Sequence, residues 1–188
     1  MPTKFILASA SPRRKALLKK IIKNFRVVNS GIDESALKAT SPVGYAQKAA
    51  RIKAQAVAAR HKDAVVIGAD TIVVLGKHIL GKPKNSADAL RMLKNLAGKT
   101  HQVITALTVF FPNGKSISRI TRTKIKTNQI SDQVIRTYVS SGRPLDKAGA
   151  YGIQEIEELF VEKIKGDYDN VVGLPVKTLQ RMLKSAHV

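Results

Sequence analysis

Ala64-Val65-Val66-Ile67-Gly68-Ala69-Asp70 is the stretch that sets the architecture. Six residues without a charge or a polar side chain, three of them β-branched, predict a strand covered on both faces. A carboxylate closes it. Upstream, Val43 to Arg60 is Ala-rich and reads as a long helix, opened by Ser41-Pro42. Downstream, Thr71 to Leu75 and His78 to Leu80 flank Gly76-Lys77, the pattern of a hairpin.

The same signals recur along the chain. Lys4 to Ala8 predicts a short buried strand. Ser11 as cap and Pro12 at the first helical position predict a helix over Arg13–Lys23, with Leu17, Leu18, Ile21 and Ile22 along one side. Ser86 is the expected cap of a helix to Leu96, stopped by Gly98. Gln102 to Phe111 and Lys115 to Ile130 read as strands joined by Pro112-Asn113-Gly114. Ser131 opens a helix to Ser141, stopped by Gly142. Leu159 to Ile164 reads as a strand, and Pro175 opens a last helix to about Lys184. Strands and helices alternate but hairpins fill the middle, which predicts an α/β fold on a mixed sheet.

The chain has 188 residues, enough for one domain with an ordinary core. Its 44% apolar content excludes intrinsic disorder, and the absence of Cys excludes disulfides, thiolate zinc sites and a Cys nucleophile. No run reaches the roughly 18 apolar residues of a membrane span, and the N-terminus lacks the parts of a signal peptide; the expectation is a cytoplasmic protein. The net charge is +20, from 33 Lys/Arg against 13 Asp/Glu. Such an excess attracts polyanions, nucleic acid among them, or is a solvated face.

Six places carry chemistry. Ser9-Ala10-Ser11-Pro12-Arg13-Arg14 joins a strand to a helix start, where N–H groups, hydroxyls and guanidinium forks suit a phosphate; an ordinary cap with surface arginines would read the same. Asp70, at the carboxyl end of its strand, can hold a divalent cation or take a proton from water, or can bond its own turn. Lys53 interrupts the stripe Ala46, Ala49, Ala50, Val57, so its ammonium either snorkels to the edge or meets an anion. Lys82, in Gly81-Lys82-Pro83, offers a point charge to a phosphate. Asp33-Glu34 supplies carboxylates where acid is otherwise scarce. The segment Asp146–Gln154 combines small residues with a side chain suited to a base edge, Gln154, although a glycine-containing strand or turn would look alike. A nucleophile elbow, a Walker loop and zinc-ligand spacing are all missing.

Together, I-L-A-S-A-S-P-R-R-K at 6–15, V-I-G-A-D-T at 66–71, L-G-K-P at 80–83, D-K-A-G-A-Y-G-I-Q at 146–154 and G-D-Y-D-N-V-V-G-L-P at 166–175 resemble the Maf family of nucleoside triphosphate pyrophosphatases. The resemblance covers nearly the whole chain, 1–188 as one domain. It implies a two-lobed α/β fold like that of inosine triphosphate pyrophosphatase, a twisted mixed sheet with flanking helices and a central cleft. It implies hydrolysis of dTTP and UTP to the monophosphate and pyrophosphate, with Mg2+ or Mn2+, commonly in a homodimer. Asp70 matches the family's general base. Arg13, Thr71 and Gln154 match its specificity positions, and Ser9, Lys53 and Lys82 match its polar and basic cleft residues. Glu34, with Asp70, matches an acidic position assigned to the metal. The family's usual glycines after G-I-Q are absent; Glu155, Glu157 and Glu158 stand there, and the strand 121–126 is more basic than the family's. Since family members are also linked to arrest of cell division, a nucleic-acid-binding regulator is the alternative reading.

Overall fold

A computed structural model describes residues 3–34 and 36–186. The long apolar run does become a central strand, but a longer one than expected: β3 spans Ala64–Leu75 without a break. On one side lie β1 (Lys4–Leu7) and then β2 (Arg26–Val27), both parallel; Phe5 pairs with Val65 and Leu7 with Ile67. Beyond β3 come β5 (Thr100–Phe110), β6 (Ser116–Thr127) and β7 (Val161–Lys165), giving the order β2-β1-β3-β5-β6-β7. The short β4 (His78–Leu80) returns antiparallel on the second half of β3, as the Gly76-Lys77 hairpin requires. β6 and β7 are also antiparallel. Parallel and antiparallel pairs coexist, so the sheet is mixed.

The chain divides into two compact units. The first holds the described residues of 1–70, 105–121 and 173–188; the second holds 71–104 and 122–172. β3, β5 and β6 each contribute to both.

In the first unit, α1 (Pro12–Lys19) begins where the sequence places it, with Ser11 accepting the Arg14 N–H. It ends four residues early, at Lys19. α2 (Pro42–Ala58) starts at its Ser41 cap and buries Ala46, Ala49, Ala50, Ala54 and Val57. The small side chains let α2 lie directly on β3. At Gly68 the approach is closest: a Cβ there would stand 2.7 Å from both the Ala50 carbonyl oxygen and the Ala54 Cβ. Ile6, Ala8, Ala54, Val57, Ala64 and Val66 form the buried cluster between helix and strands. α7 (Val176–Lys184) follows Pro175.

The second unit holds α3 (Ser86–Leu96), α4 (Asp132–Ser140), α5 (Ile153–Phe160) and α6 (Tyr168–Val172). Asn85, not Ser86, caps α3: its Oδ1 accepts the Asp88 N–H at 2.9 Å, so Ser86 is the first helical residue. α5 is the larger correction. Gln154 stands on a helix, not on a strand or open turn, and Leu159 belongs to that helix, so β7 begins only at Val161. β6 stops at Thr127, whose N–H bonds the Lys99 carbonyl, rather than running to Ile130.

Candidate active site

β1 ends at Leu7, and the chain turns through Ser9 and Ser11 into α1. Much of this turn's hydrogen-bonding capacity is spent internally. The Ser11 N–H goes to Ser9 Oγ, Pro12 has no N–H, and the Arg14 N–H goes to Ser11 Oγ. An anion at this helix start therefore relies on side chains more than on backbone N–H groups. Arg14 is the fixed one. Its Nε donates to the Gly173 carbonyl at 3.0 Å and its Nη1 to Ser9 Oγ at 3.2 Å. Ser9 is buried and accepts two donors, which leaves its own O–H available to donate. Burial lowers the Arg14 pKa; Asp70 and Glu34 oppose that shift, and Arg13 adds to it.

The centre of the site follows from the packing of α2 on β3. Lys53 lies between Ala50 and Ala54, the residues that press against Gly68, and Asp70 is two residues past Gly68 on β3. Residues i and i+2 of a strand share a face, so the close contact brings ammonium and carboxylate together. Lys53 Nζ is 2.7 Å from Asp70 Oδ1 and 2.8 Å from a Glu34 carboxylate oxygen, Oε2. The Lys53 and Asp70 side chains are only 12% and 9% exposed, and Glu34 is 36% exposed. Lys53 thus does not snorkel outward: the anions it meets are the chain's own carboxylates, Asp70 and Glu34. Asp70 Oδ2 is buried and, among the described residues, has no hydrogen-bond partner. A buried acceptor left open is costly, by about 1–3 kcal/mol, and such an atom marks a place where a ligand, proton or cation completes the structure.

Lys53 and Arg14 face Asp70 and Glu34, and Arg13, next in the chain to Arg14, adds a further positive charge beside it. The two carboxylates supply hard oxygen donors that fit a divalent cation. Among the described residues no group of three or more His, Asp or Glu assembles, so water or ligand oxygens would complete any such coordination. Tyr45 is a member that sequence reading missed. Burial, then Glu34 and Asp70, raise its phenol pKa. It is eight residues before Lys53, on the same stripe of α2, and that i, i+4, i+8 spacing through Ala49 was the available signal. The Gly173 carbonyl was missed as well, because backbone acceptors leave no trace in residue type.

The remaining candidates belong to the second unit. Thr71 follows Asp70 on β3 and is half-buried. Lys82 is exposed, on a loop whose Gly81 carbonyl accepts the Gly149 N–H at 3.0 Å. Gly149 needs its positive φ of 71°, and its face lies against Val73. Gln154 is exposed in the first turn of α5. A hydrogen-bond network fixes that turn. Lys147 is buried, and its Nζ donates to the Arg143 carbonyl at 2.5 Å, to Asp146 at 2.6 Å and to Glu155 Oε1 at 3.0 Å. Tyr138 donates to Glu155 Oε2 at 2.7 Å and accepts the Gly152 N–H at 3.1 Å. Glu155, a departure from the family pattern, is thereby tied in place.

Comparison with known proteins agrees along the chain. A dTTP/UTP pyrophosphatase of Koribacter versatilis is 48% identical over 183 residues, covering 97% of this chain and 94% of that one. A dTTP/UTP pyrophosphatase of Thermosipho africanus is 46% identical, covering 96% and 92%. Among solved structures, the Staphylococcus aureus Ham1 protein superposes with a TM-score of 0.58 at 17% identity, over 98% of this chain and all of that one. A HAM1 protein from Coxiella burnetii gives 0.52 at 13% identity, covering 98% and 100%. At those identities the likeness shows the fold. The family model for Maf-like proteins matches residues 4–186, and the chain belongs to that family.

Proposed function

We propose that the protein is a nucleoside triphosphate pyrophosphatase acting on dTTP and UTP, releasing the monophosphate and pyrophosphate. The observation that carries this reading is the buried, open Oδ2 of Asp70 beside Lys53 and Arg14. A polyanion satisfies the cations, and a water that attacks it needs an acceptor for its proton. The names of relatives at 45–48% identity supply the substrate class.

Arg13, Arg14 and the Ser9 hydroxyl bind phosphate oxygens, the guanidinium forks by paired N–H donors. Lys53 holds Asp70 through Oδ1, which leaves Oδ2 as the base. The water oxygen bonds to the α-phosphorus, its proton passes to Asp70 Oδ2, and the bond from that phosphorus to the bridging oxygen breaks. Pyrophosphate leaves with the bonding pair, its charge met by Lys53; the family resemblance assigns Lys82 to phosphate as well. The family resemblance assigns base selection to Arg13, Thr71 and Gln154. A Mg2+ or Mn2+ ion bound by Asp70 and Glu34 would neutralise phosphate charge and acidify the water.

The test is pyrophosphate release, assayed apart from free phosphate, across the common nucleoside triphosphates with Mg2+ or Mn2+. Turnover of dTTP and UTP is expected. Asp70→Asn should lower kcat by at least about 1000-fold while circular dichroism shows an unchanged fold. An active Asp70→Asn enzyme would remove Asp70 from the base role.

A further inference from the structure

The pairing of β6 with β7 sets lysine against lysine. Lys124 is directly opposite Lys165, and Lys126 directly opposite Lys163. Burial alternates along β6 from Arg122 to Thr127, exposed at Arg122, Lys124 and Lys126 and buried at Thr123, Ile125 and Thr127. Directly opposed residues share a face. One exposed face of this two-strand ladder therefore carries Arg122, Lys124, Lys126, Lys163 and Lys165. A single carboxylate meets them: Glu162, 2.6 Å from Lys126 at the irregularity between Lys126 and Thr127. Among the described residues no carboxylate pairs with Lys124, Lys163 or Lys165. Asp167, just past β7, turns back on its own backbone, accepting the Asp169 N–H at 2.9 Å.

Like charges directly opposite destabilise a ladder. Edge protection accounts for part of the pattern, since β7 is the edge strand of the sheet and edge lysines hinder aggregation. It does not account for β6, which is covered on that side by β7. Edge protection leaves Lys124 and Lys126 unexplained, and setting them against Lys165 and Lys163 weakens the ladder. We propose that this face binds the phosphate backbone of duplex nucleic acid without reading its sequence. The Cα atoms of residues two apart on a strand are about 6.7 Å apart, and those across the ladder about 5 Å, so the five side chains rise from a compact grid that a run of phosphates can neutralise. The face has no aromatic side chain for stacking on unpaired bases, which disfavours single strands. It has no exposed apolar side chain to insert into a bilayer, which disfavours a membrane.

Fluorescence anisotropy with a labelled 24-base-pair duplex of random sequence, titrated with salt, tests this. About four neutralised phosphates give a slope of roughly −3.6 for log K against log salt, or about a 100-fold loss of affinity between 50 and 200 mM. The variant Lys124→Gln/Lys126→Gln/Lys163→Gln/Lys165→Gln should flatten the slope by about 3 units and weaken binding at least about 10-fold at 50 mM. Its Tm should hold or rise, because the opposed charges are gone. If the quadruple variant fails to fold, Lys124→Gln/Lys163→Gln, one from each pair, should flatten the slope by about half as much. Neutralising four exposed lysines elsewhere, Lys19, Lys23, Lys62 and Lys77, changes net charge equally and should leave most of the slope. Equal losses from the two quadruple variants would overturn the proposal in favour of diffuse charge. An unchanged slope in the ladder variant would overturn it too, as would binding to vesicles with 30% phosphatidylserine in the absence of duplex binding.

Discussion

The first unit and the second each hold a lysine that bridges carboxylates, and the two are built differently. Lys53 is held by backbone packing. A helix of small residues lies on a strand glycine, and the Lys53–Asp70 ion pair forms because the main chains are so close. Lys147 is held by side chains. Its partners are a carbonyl, Asp146 and Glu155, and Glu155 is in turn held by Tyr138. A site set by main-chain contact resists small changes and fails abruptly. A site set by a chain of side-chain hydrogen bonds gives way by degrees, because each partner re-solvates or rotates.

Gly68→Ala tests the first kind of construction most severely. The added Cβ meets the Ala50 carbonyl and the Ala54 Cβ at 2.7 Å, and neither atom is a flexible side-chain end. α2 has to move. Overpacking of this sort costs about 1–3 kcal/mol, and the shift parts Lys53 from Asp70. Nucleotide hydrolysis should fall by about 100-fold or more, in line with the cost of a 1 Å misplacement at a reacting centre. A Gly68→Ala protein with ordinary Tm and turnover would show that the main-chain contact is not what sets the site.

The second unit has its own vulnerable group, in acid. His101 is buried on β5, with Nε2 2.7 Å from the Tyr151 hydroxyl and Nδ1 without a partner. Burial lowers its pKa from 6.5 to about 4. Between those two values the unfolded chain binds a proton that the folded chain does not. The stability from this group is therefore complete above pH 6.5 and is lost as pH falls toward 4. Two and a half units correspond to roughly 3 kcal/mol over that window. Urea unfolding at pH 7, 5.5 and 4.5 should show the decline, and His101→Gln should flatten it.

A smaller effect is expected at Tyr138→Phe. It removes the donor to Glu155 and the acceptor of the Gly152 N–H. Loss of two hydrogen bonds in a half-buried setting costs about 1–2 kcal/mol. Because the same network fixes the first turn of α5, KM for dTTP should rise several-fold with little change in kcat. A fall in kcat with KM unchanged would detach the network from substrate binding.

The same difference in construction decides how much could be read from the sequence. The apolar run at 64–69, the Ser-Pro helix starts and the Gly76-Lys77 hairpin each carry their signal locally, and the elements stand where they point. Gly68 and the alanines of α2 were visible as composition. Their close approach was not, because it depends on register between segments far apart in sequence. α5 was missed for a local reason. Gly152 caps it without a side-chain bond, and Ile156 departs from helical dihedrals at φ −135°. Yet Ile153, Ile156 and Phe160 are buried at helical spacing, so the periodicity was present under a weak start signal. The Lys124–Lys165 and Lys126–Lys163 pairs are a third case. The basic strand was plain in the sequence, and only the register shows that its lysines face others.

Gly152→Ala separates the two constructions with the smallest chemical change. As at Gly68, the new Cβ meets an atom at 2.7 Å, but here the atom is Lys147 Cε, with Glu155 Cδ at 3.0 Å. Both are outer atoms of flexible side chains, and the Gly152 φ of −103° is open to any residue. The lysine can swing while keeping one or two of its three acceptors. The expected cost is under about 1 kcal/mol, and dTTP turnover should stay within about threefold of the parent protein, the spread normal for surface-type changes. Two substitutions that are identical on paper, with the same nearest-contact distance, are thus expected to differ by about 30-fold or more in activity. If Gly152→Ala proved as damaging as Gly68→Ala, the Lys147 network would have to be as rigid as the α2–β3 contact, and the contrast between main-chain and side-chain construction would not hold.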